Sequence, residues 1–219
     1  NPAVVPFPAP GLSMDNPVRM GDQVRNLQGV LDYSFTAWRL MPAVTPEFIH
    51  INPRQATPEL RREGSLKVAS FNVLSYFNGN GTGGGFPTSR GASTAAEFER
   101  QADKIVAALS TMDADVIGLM EIENDGFGST SAIVDLVGRL NAKAGEKRYA
   151  FVQVAGSNKI GTDEITVGLL YNRLTVAPTG SAATTNAGIF ATGNRQPLAQ
   201  SFREIANNEV FTVVVNHFK

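Results

Sequence analysis

At 219 residues the chain has room for one large domain or two small ones. Its 42% hydrophobic content is ordinary for a folded protein, and its 18% charged residues fall below the usual value of about a quarter, which excludes long disordered charge runs. A net charge of −1 excludes a global basic field for holding nucleic acid, and the absence of Cys excludes disulfides, Cys-ligated zinc and thiol nucleophiles.

The opening Asn1-Pro2-Ala3-Val4-Val5-Pro6-Phe7-Pro8 has no signal-peptide pattern and reads like the middle of a longer chain. Residues 1 to about 60 are rich in Pro and lack helical periodicity. Val24, Leu27, Val30, Leu31, Tyr33, Phe35, Trp38, Leu40 and Phe48 suggest short strands, broken at Gly21-Asp22, Gln28-Gly29 and Met41-Pro42. This is expected to be a small β-module or an extension of the next domain. Residues 61–65 read as a linker.

From Leu66 strands and helices alternate. Leu66 to Phe71 is a short apolar run that delivers Asn72, and a Gly-dense loop covers Gly79 to Gly91. Thr94-Ala95-Ala96-Glu97 is a capping-box signature, after which Phe98, Ala102, Ile105 and Leu109 recur at helical spacing. The run from Asp115 to Met120 delivers Glu121. A second helix is expected over Ser129 to Lys143, with Ile133, Leu136, Val137 and Leu140 inward and Gly145 as its stop. Strands are then expected at 149–154, 165–171, 199–205 and 210–216, the last delivering Asn216 and His217. Helices early and strands late predict a mixed sheet. No apolar run reaches the roughly 18 residues of a membrane span.

If the three strands ending in Asn72, Glu121 and His217 lie side by side, an amide, a carboxylate and an imidazole share one rim, where α/β folds usually place ligands. A carboxylate directly after an apolar strand is costly unless it sits at a rim or binds a cation, and oxygen ligands suit Mg²⁺ or Mn²⁺. The plain alternative is a solvated turn residue beside Glu123 or Asp125. Asn72 suits a phosphate or a metal-bound water, or simply ends a strand. His217 suits acid–base work or donation to a phosphoryl oxygen, or is a packed histidine. His50, between Ile49 and Ile51, reads as structural. Arg195 suits a phosphate, or is a solvated loop residue. Asp163 or Glu164 could pair with His217 and set its tautomer, or form a polar turn. The Gly79–Gly85 run lacks the Gly-Lys-Ser/Thr of a Walker loop.

The order of these features is more specific than any one of them. Val68-Ala69-Ser70-Phe71-Asn72 is followed by Arg90-Gly91-Ala92, by Glu97-Phe98-x-Arg100-Gln101, and by Asp115-Val116-Ile117-Gly118-Leu119-Met120-Glu121-Ile122-Glu123-Asn124. Then come Arg195-x-Pro197-Leu198 and Val215-Asn216-His217. This succession, over about residues 64–219, resembles the large secreted bacterial nucleases of the endonuclease/exonuclease/phosphatase superfamily, which share the pancreatic deoxyribonuclease fold. Residues 17–52 resemble the segment that precedes the catalytic domain there, the end of an oligonucleotide-binding-fold-like module.

The resemblance implies an α/β fold, part of a four-layer sandwich with mixed sheets behind a small β-rich segment. It implies a secreted nuclease that hydrolyses DNA or RNA with Mg²⁺, Mn²⁺ or Ca²⁺. Asn72 and Glu121 match its metal-site positions, Arg195 a substrate-phosphate contact aided by Asn216, and His217 its first active-site histidine. Tyr171 matches a cleft-facing strand position, and Asp163 a recurring residue without an assigned role. The superfamily's later Gly-Asp-x-Asn and Asp-His motifs, which supply the general base, have no counterpart. The chain is therefore expected to be one piece of a longer protein, inactive alone. A phosphatase or phospholipid phosphodiesterase on the same fold, or a non-catalytic binding module, stay open as alternatives.

Overall fold

The computed structural model of the protein describes residues 5–55 and 64–218, and the chain divides into two compact units, Asn1–Glu59 and Leu60–Lys219. Most of the expected linker, residues 61–63, lies outside the described residues.

The first unit is built from strands β1 (Gln23–Arg25), β2 (Gly29–Ser34), β3 (Ala37–Pro42) and β4 (Glu47–Ile49). β1 pairs with β4, and β2 with β3, both antiparallel. The β2–β3 turn is Phe35-Thr36, with φ of 50° and 64°, the doubly left-handed turn that matches the twist of a hairpin. Phe35, expected in a strand, is therefore in the turn, under the Arg39 guanidinium 5.4 Å from its ring centre. Val30, Leu31, Tyr33 and Trp38 all lie on the hairpin with their side chains largely exposed.

Asp22 organises this unit. Its carboxylate accepts from Arg19 N at 3.0 Å, Ile51 N at 3.1 Å and Asn52 N at 3.3 Å, and sits 2.9 Å from His50 Nδ1. The Arg19 amide, helped by His50, holds the Asp22 carboxyl down to about 2. A lowered carboxyl stabilises the fold above its ordinary 3.8, and that contribution is lost as pH falls through about 2. Trp38 is the chain's single tryptophan and reports on this unit. Its fluorescence-monitored stability is expected to fall between those two pH values. Asp22→Asn should remove that step and converge with the parent protein below it; an undiminished step in the variant would assign the transition to another group.

The second unit contains β5 (Val68–Tyr76), α1 (Ala95–Met112), β6 (Val116–Glu123), α2 (Ala132–Ala144), β7 (Tyr149–Phe151), β8 (Ile165–Asn172), β9 (Val176–Thr184), a single 3₁₀ turn (Gly188–Phe190), β10 (Leu198–Glu204) and β11 (Val210–Val215). Thr94 caps α1 by accepting from Glu97 N at 3.2 Å, while Glu97 reaches back to Ser93 N at 2.8 Å. α1 runs one turn past Leu109, to Met112. α2 starts later than expected, at Ala132, whose amide donates to Asp125 at 3.0 Å, and Gly145 ends it with φ of 73°.

One sheet has the order β5-β6-β8-β7, with β5 and β6 parallel and the other pairs antiparallel, the expected mixed pattern. The other is antiparallel, in the order β11-β10-β9. β9 was not expected from the sequence, because Pro178 and Gly180 interrupt it. It is an edge strand, where a residue without an amide proton is tolerated. The expected strand at 149–154 stops at Phe151.

Two cores hold three layers together among the described residues. Helices α1 and α2 bury Phe98, Ile105, Leu109, Ile133, Leu136 and Leu140 against Ile117, Leu119 and Leu170 on one face of the first sheet. The other face meets the second sheet through Val116, Val167, Leu169, Leu198, Phe202 and Val215. Gly118 permits this second contact: a Cβ there would lie 2.8 Å from Val215 Cγ2. β11 therefore stacks on β6 rather than lying beside it, which corrects the expectation that three strands deliver the rim residues side by side. No helix among the described residues is long and apolar enough to cross a membrane.

Candidate active site

A distortion shared by two strands forms the floor of the site. β5 and β6 pair up to Asn72 and Met120, then again at Tyr76 and Ile122. On its other edge β6 pairs with β8 at Met120 and Ile122 but not at Glu121. Glu121 is thus the extra residue of a bulge, and its φ of 65° lies in the left-handed region, as do Leu74 and Ser75 at 53° each. The strands do not end at Asn72 and Glu121, as the sequence suggested; they bulge there and run on to Tyr76 and Glu123. The bulge shifts the side-chain alternation by one, so Ile122 joins the helix-side core.

Such backbone costs on the order of 1–3 kcal/mol and persists only where neighbours hold it. Here they do. Asn72 Nδ2 donates to Glu121 Oε1 at 2.8 Å, and Asn72 Oδ1 accepts from Leu74 N at 2.7 Å. From α1, Gln101 Nε2 donates to the carbonyls of Val73 at 3.0 Å and Leu74 at 2.8 Å. Gln101 went unremarked in the sequence as a site residue. Its one signal was a polar side chain on the apolar stripe of Phe98, Ala102 and Ile105.

The second sheet completes the rim. Two residues past β11, His217 Nε2 lies 3.7 Å from Glu121 Oε1, with both side chains about four-fifths buried. His217 Nδ1 is buried without a partner among the described residues. Asn216 precedes it, half-buried, and its side chain makes no hydrogen bond to a described residue.

β8 runs antiparallel to β6, so its beginning lies at the same rim, with Ile165 opposite Glu123. Asp163 there binds Arg195 from the loop before β10, Oδ2 to Nη2 at 3.3 Å, and Arg90 from the Gly-rich loop, Oδ1 to Nη1 at 3.2 Å. Glu164 binds Arg90 Nε at 3.2 Å. Neither carboxylate is paired with His217, as had been considered: both neutralise arginines, and the histidine's acidic neighbour is Glu121. Arg195 is mostly buried, and its Nε has no partner among the described residues.

Tyr171 is not at this rim. It pairs with Val116, at the opposite end of β6 from Glu121, and its ring packs 5.6 Å from that of Phe202 between the sheets. Five strand residues separate the two levels, roughly 16 Å, so Tyr171 serves the core rather than a cleft.

Burial, reinforced by Asp125, pushes the Glu123 carboxyl up to about 7. Its Oε2 is buried without a partner among the described residues. Burial also raises Asp125, against the stabilising bond from Ala132 N.

The donor set at Glu121 fits a hard divalent cation. Among the described residues no group of three or more acidic, His or Cys side chains converges, so the site offers one carboxylate, plus the lone pair that Asn72 Oδ1 keeps beyond its bond to Leu74. Mg²⁺ is commonly held this way, by one or two carboxylates with water and substrate phosphate filling the other positions.

No family model and no curated protein matches this chain. It is similar to solved structures that include the human Nocturnin catalytic domain with bound sulfate anion, at 15% identity and TM-score 0.44 over 70% of this chain and 49% of that one. A second is an endonuclease/exonuclease/phosphatase from Bacteroides vulgatus, at 14% identity and TM-score 0.45 over 70% and 52%. A third is a humanized TDP2 of D. rerio, at 16% identity and TM-score 0.42 over 69% and 49%. The chain spans about half the length of these structures.

Proposed function

We propose that this chain carries the metal- and phosphate-facing part of a divalent-metal-dependent phosphodiesterase acting on nucleic acid, DNA foremost, in a secreted protein. The fold would be a four-layer sandwich of which the described residues form three layers. The observation that carries the reading is the Glu121 carboxylate, lifted out of the β6 ladder by a left-handed bulge and flanked by Asn72 at 2.8 Å and His217 at 3.7 Å. A buried acid held in strained backbone between an amide and an imidazole is a costly arrangement with no packing role.

Glu121, with Asn72 Oδ1, would hold Mg²⁺, Mn²⁺ or Ca²⁺. When bound, the cation supplies charge stabilisation at the phosphoryl and leaving oxygens. Asn72 orients the carboxylate through its amide. His217 Nε2 faces the same point and donates to a phosphoryl oxygen when protonated there. Arg195 is kept in place by Asp163, with its planar fork suited to two oxygens of one phosphate. The bulge fixes Asn72 and Glu121, and Asp163 holds Arg195, before substrate arrives, which is where such sites gain most of their effect.

The test is hydrolysis by the complete protein. Plasmid DNA, RNA, bis(p-nitrophenyl) phosphate and p-nitrophenyl phosphate are offered with Mg²⁺, Mn²⁺ or EDTA. Diester cleavage that EDTA stops and metal restores is expected. Cleavage of the monoester alone would replace this reading with a phosphatase. No turnover, together with no Mn²⁺ binding by calorimetry, would leave only a binding module.

A further inference from the structure

Beyond Asn72 the rim opens into a groove of about 560 Å³ between the distorted end of β5 and the first turns of α1, lined by Asn72, Leu74, Arg90, Glu97, Arg100 and Lys104. We propose that this groove carries the phosphodiester backbone of a polynucleotide strand away from the scissile position, with Arg100 and Lys104 as its phosphate contacts. The inference rests on the phosphodiesterase reading and deepens it, by giving the strand a path beyond the scissile position and naming the side chains that hold it there.

Three observations support it. Arg100 and Lys104 are four residues apart on α1, both exposed, and neither forms an ion pair with a described residue; Asp103, beside them in sequence, pairs with neither. Like charges at this spacing destabilise a helix by themselves, so an unpaired couple beside a candidate active site calls for an anion. Of the other charges facing the groove, Arg90 is paired with Asp163 and Glu164, while Glu97 accepts from the neutral Ser93 N and keeps its single negative charge against the two cations. The net field offered to a ligand is therefore positive in a chain whose overall charge is −1.

Leu74 is the third observation. It is 75% exposed, although its backbone is pinned in a left-handed conformation from both sides, by Asn72 Oδ1 and by Gln101. An apolar side chain held rigidly outward in the same groove as these cations does not suit a hydrated inorganic anion. It suits the sugar or base face of a nucleotide, with phosphates on either side.

The experiment is equilibrium binding of a fluorescein-labelled twelve-nucleotide DNA strand to the complete protein in EDTA, by anisotropy, across a salt series. Arg100→Gln with Lys104→Gln is expected to weaken binding at low salt by about tenfold or more. It should also reduce the slope of log K against log salt by about 1.4, since a single strand contributes roughly 0.7 per phosphate contact. The charge-preserving pair Arg100→Lys with Lys104→Arg should keep the slope. An unchanged slope in the Gln pair overturns the proposal. So does inorganic phosphate competing as well as the oligonucleotide, or equal loss in the charge-preserving pair. Hydrolysis of a dinucleotide diester tests the catalytic reading separately: no turnover with the slope change intact counts against that reading and not against the groove.

Discussion

Glu121→Gln in the complete protein is expected to lower metal-dependent phosphodiester cleavage by about 10³-fold, because Lewis-acid stabilisation supplies several kcal/mol and each factor of ten costs about 1.4. The substitution changes little else. Gln keeps an oxygen able to accept from Asn72 Nδ2, now at 2.8 Å from Glu121, and keeps the length needed at the bulge. The thermal midpoint should stay near that of the parent while Mn²⁺ binding by calorimetry disappears. Full activity at saturating Mg²⁺ in the variant would sink the metal assignment. A large loss of stability with activity retained would instead mark the carboxylate as structural.

Next in size is the loss expected from Arg195→Ala and His217→Ala. Each side chain is largely buried at the rim and carries a nitrogen without a described partner, Arg195 Nε and His217 Nδ1. Each can donate to phosphoryl oxygens whose charge grows during in-line attack. Removing one such donor typically costs 10²–10³-fold in kcat, on the order seen for oxyanion donors. KM should move little, since the contact strengthens in the transition state. In Arg195→Ala, Asp163 keeps Arg90 at 3.2 Å, so the rim should hold its shape. Arg195→Lys should recover only part of kcat, because an ammonium cannot reproduce the planar fork. A rise in KM alone would make either residue a ground-state phosphate contact. His217→Ala with unchanged kinetics would make that histidine a packing residue.

Much of the framework could be read from the chain. Short apolar runs bounded by turns announced β5, β6, β8, β10 and β11. The stripe Phe98, Ala102, Ile105 and Leu109 announced α1, and Gly145 the end of α2. These are local consequences of side-chain periodicity and capping, and neighbouring residues alone determine them. The positions of Asn72, Glu121, Arg195 and His217 in those patterns were also legible, because the first two and the last interrupt or follow apolar segments and Arg195 stands in a small-residue loop just before one.

What joined them was not local. Periodicity cannot show that β6 bulges at Glu121, since the Glu121 carboxylate is held by Asn72 on β5, and the matching distortion of β5 at Leu74 is held by Gln101, reaching across from α1. Nor does it show that β11 belongs to a second sheet: that depends on Gly118, whose missing side chain lets Val215 stack on β6 and sets His217 against Glu121. β9 was hidden because its Pro and Gly are tolerated only at the edge position the assembled sheet assigns it. The pairing of Asp163 with Arg90 and Arg195, rather than with His217, follows from the antiparallel course of β8 and β10. Sequence by itself determined most of the segments that become strands and helices and which polar residues interrupt or follow them. Tertiary structure alone decided which of those ends meet, because sheet partnership and inter-sheet spacing are set by contacts between residues far apart in the chain.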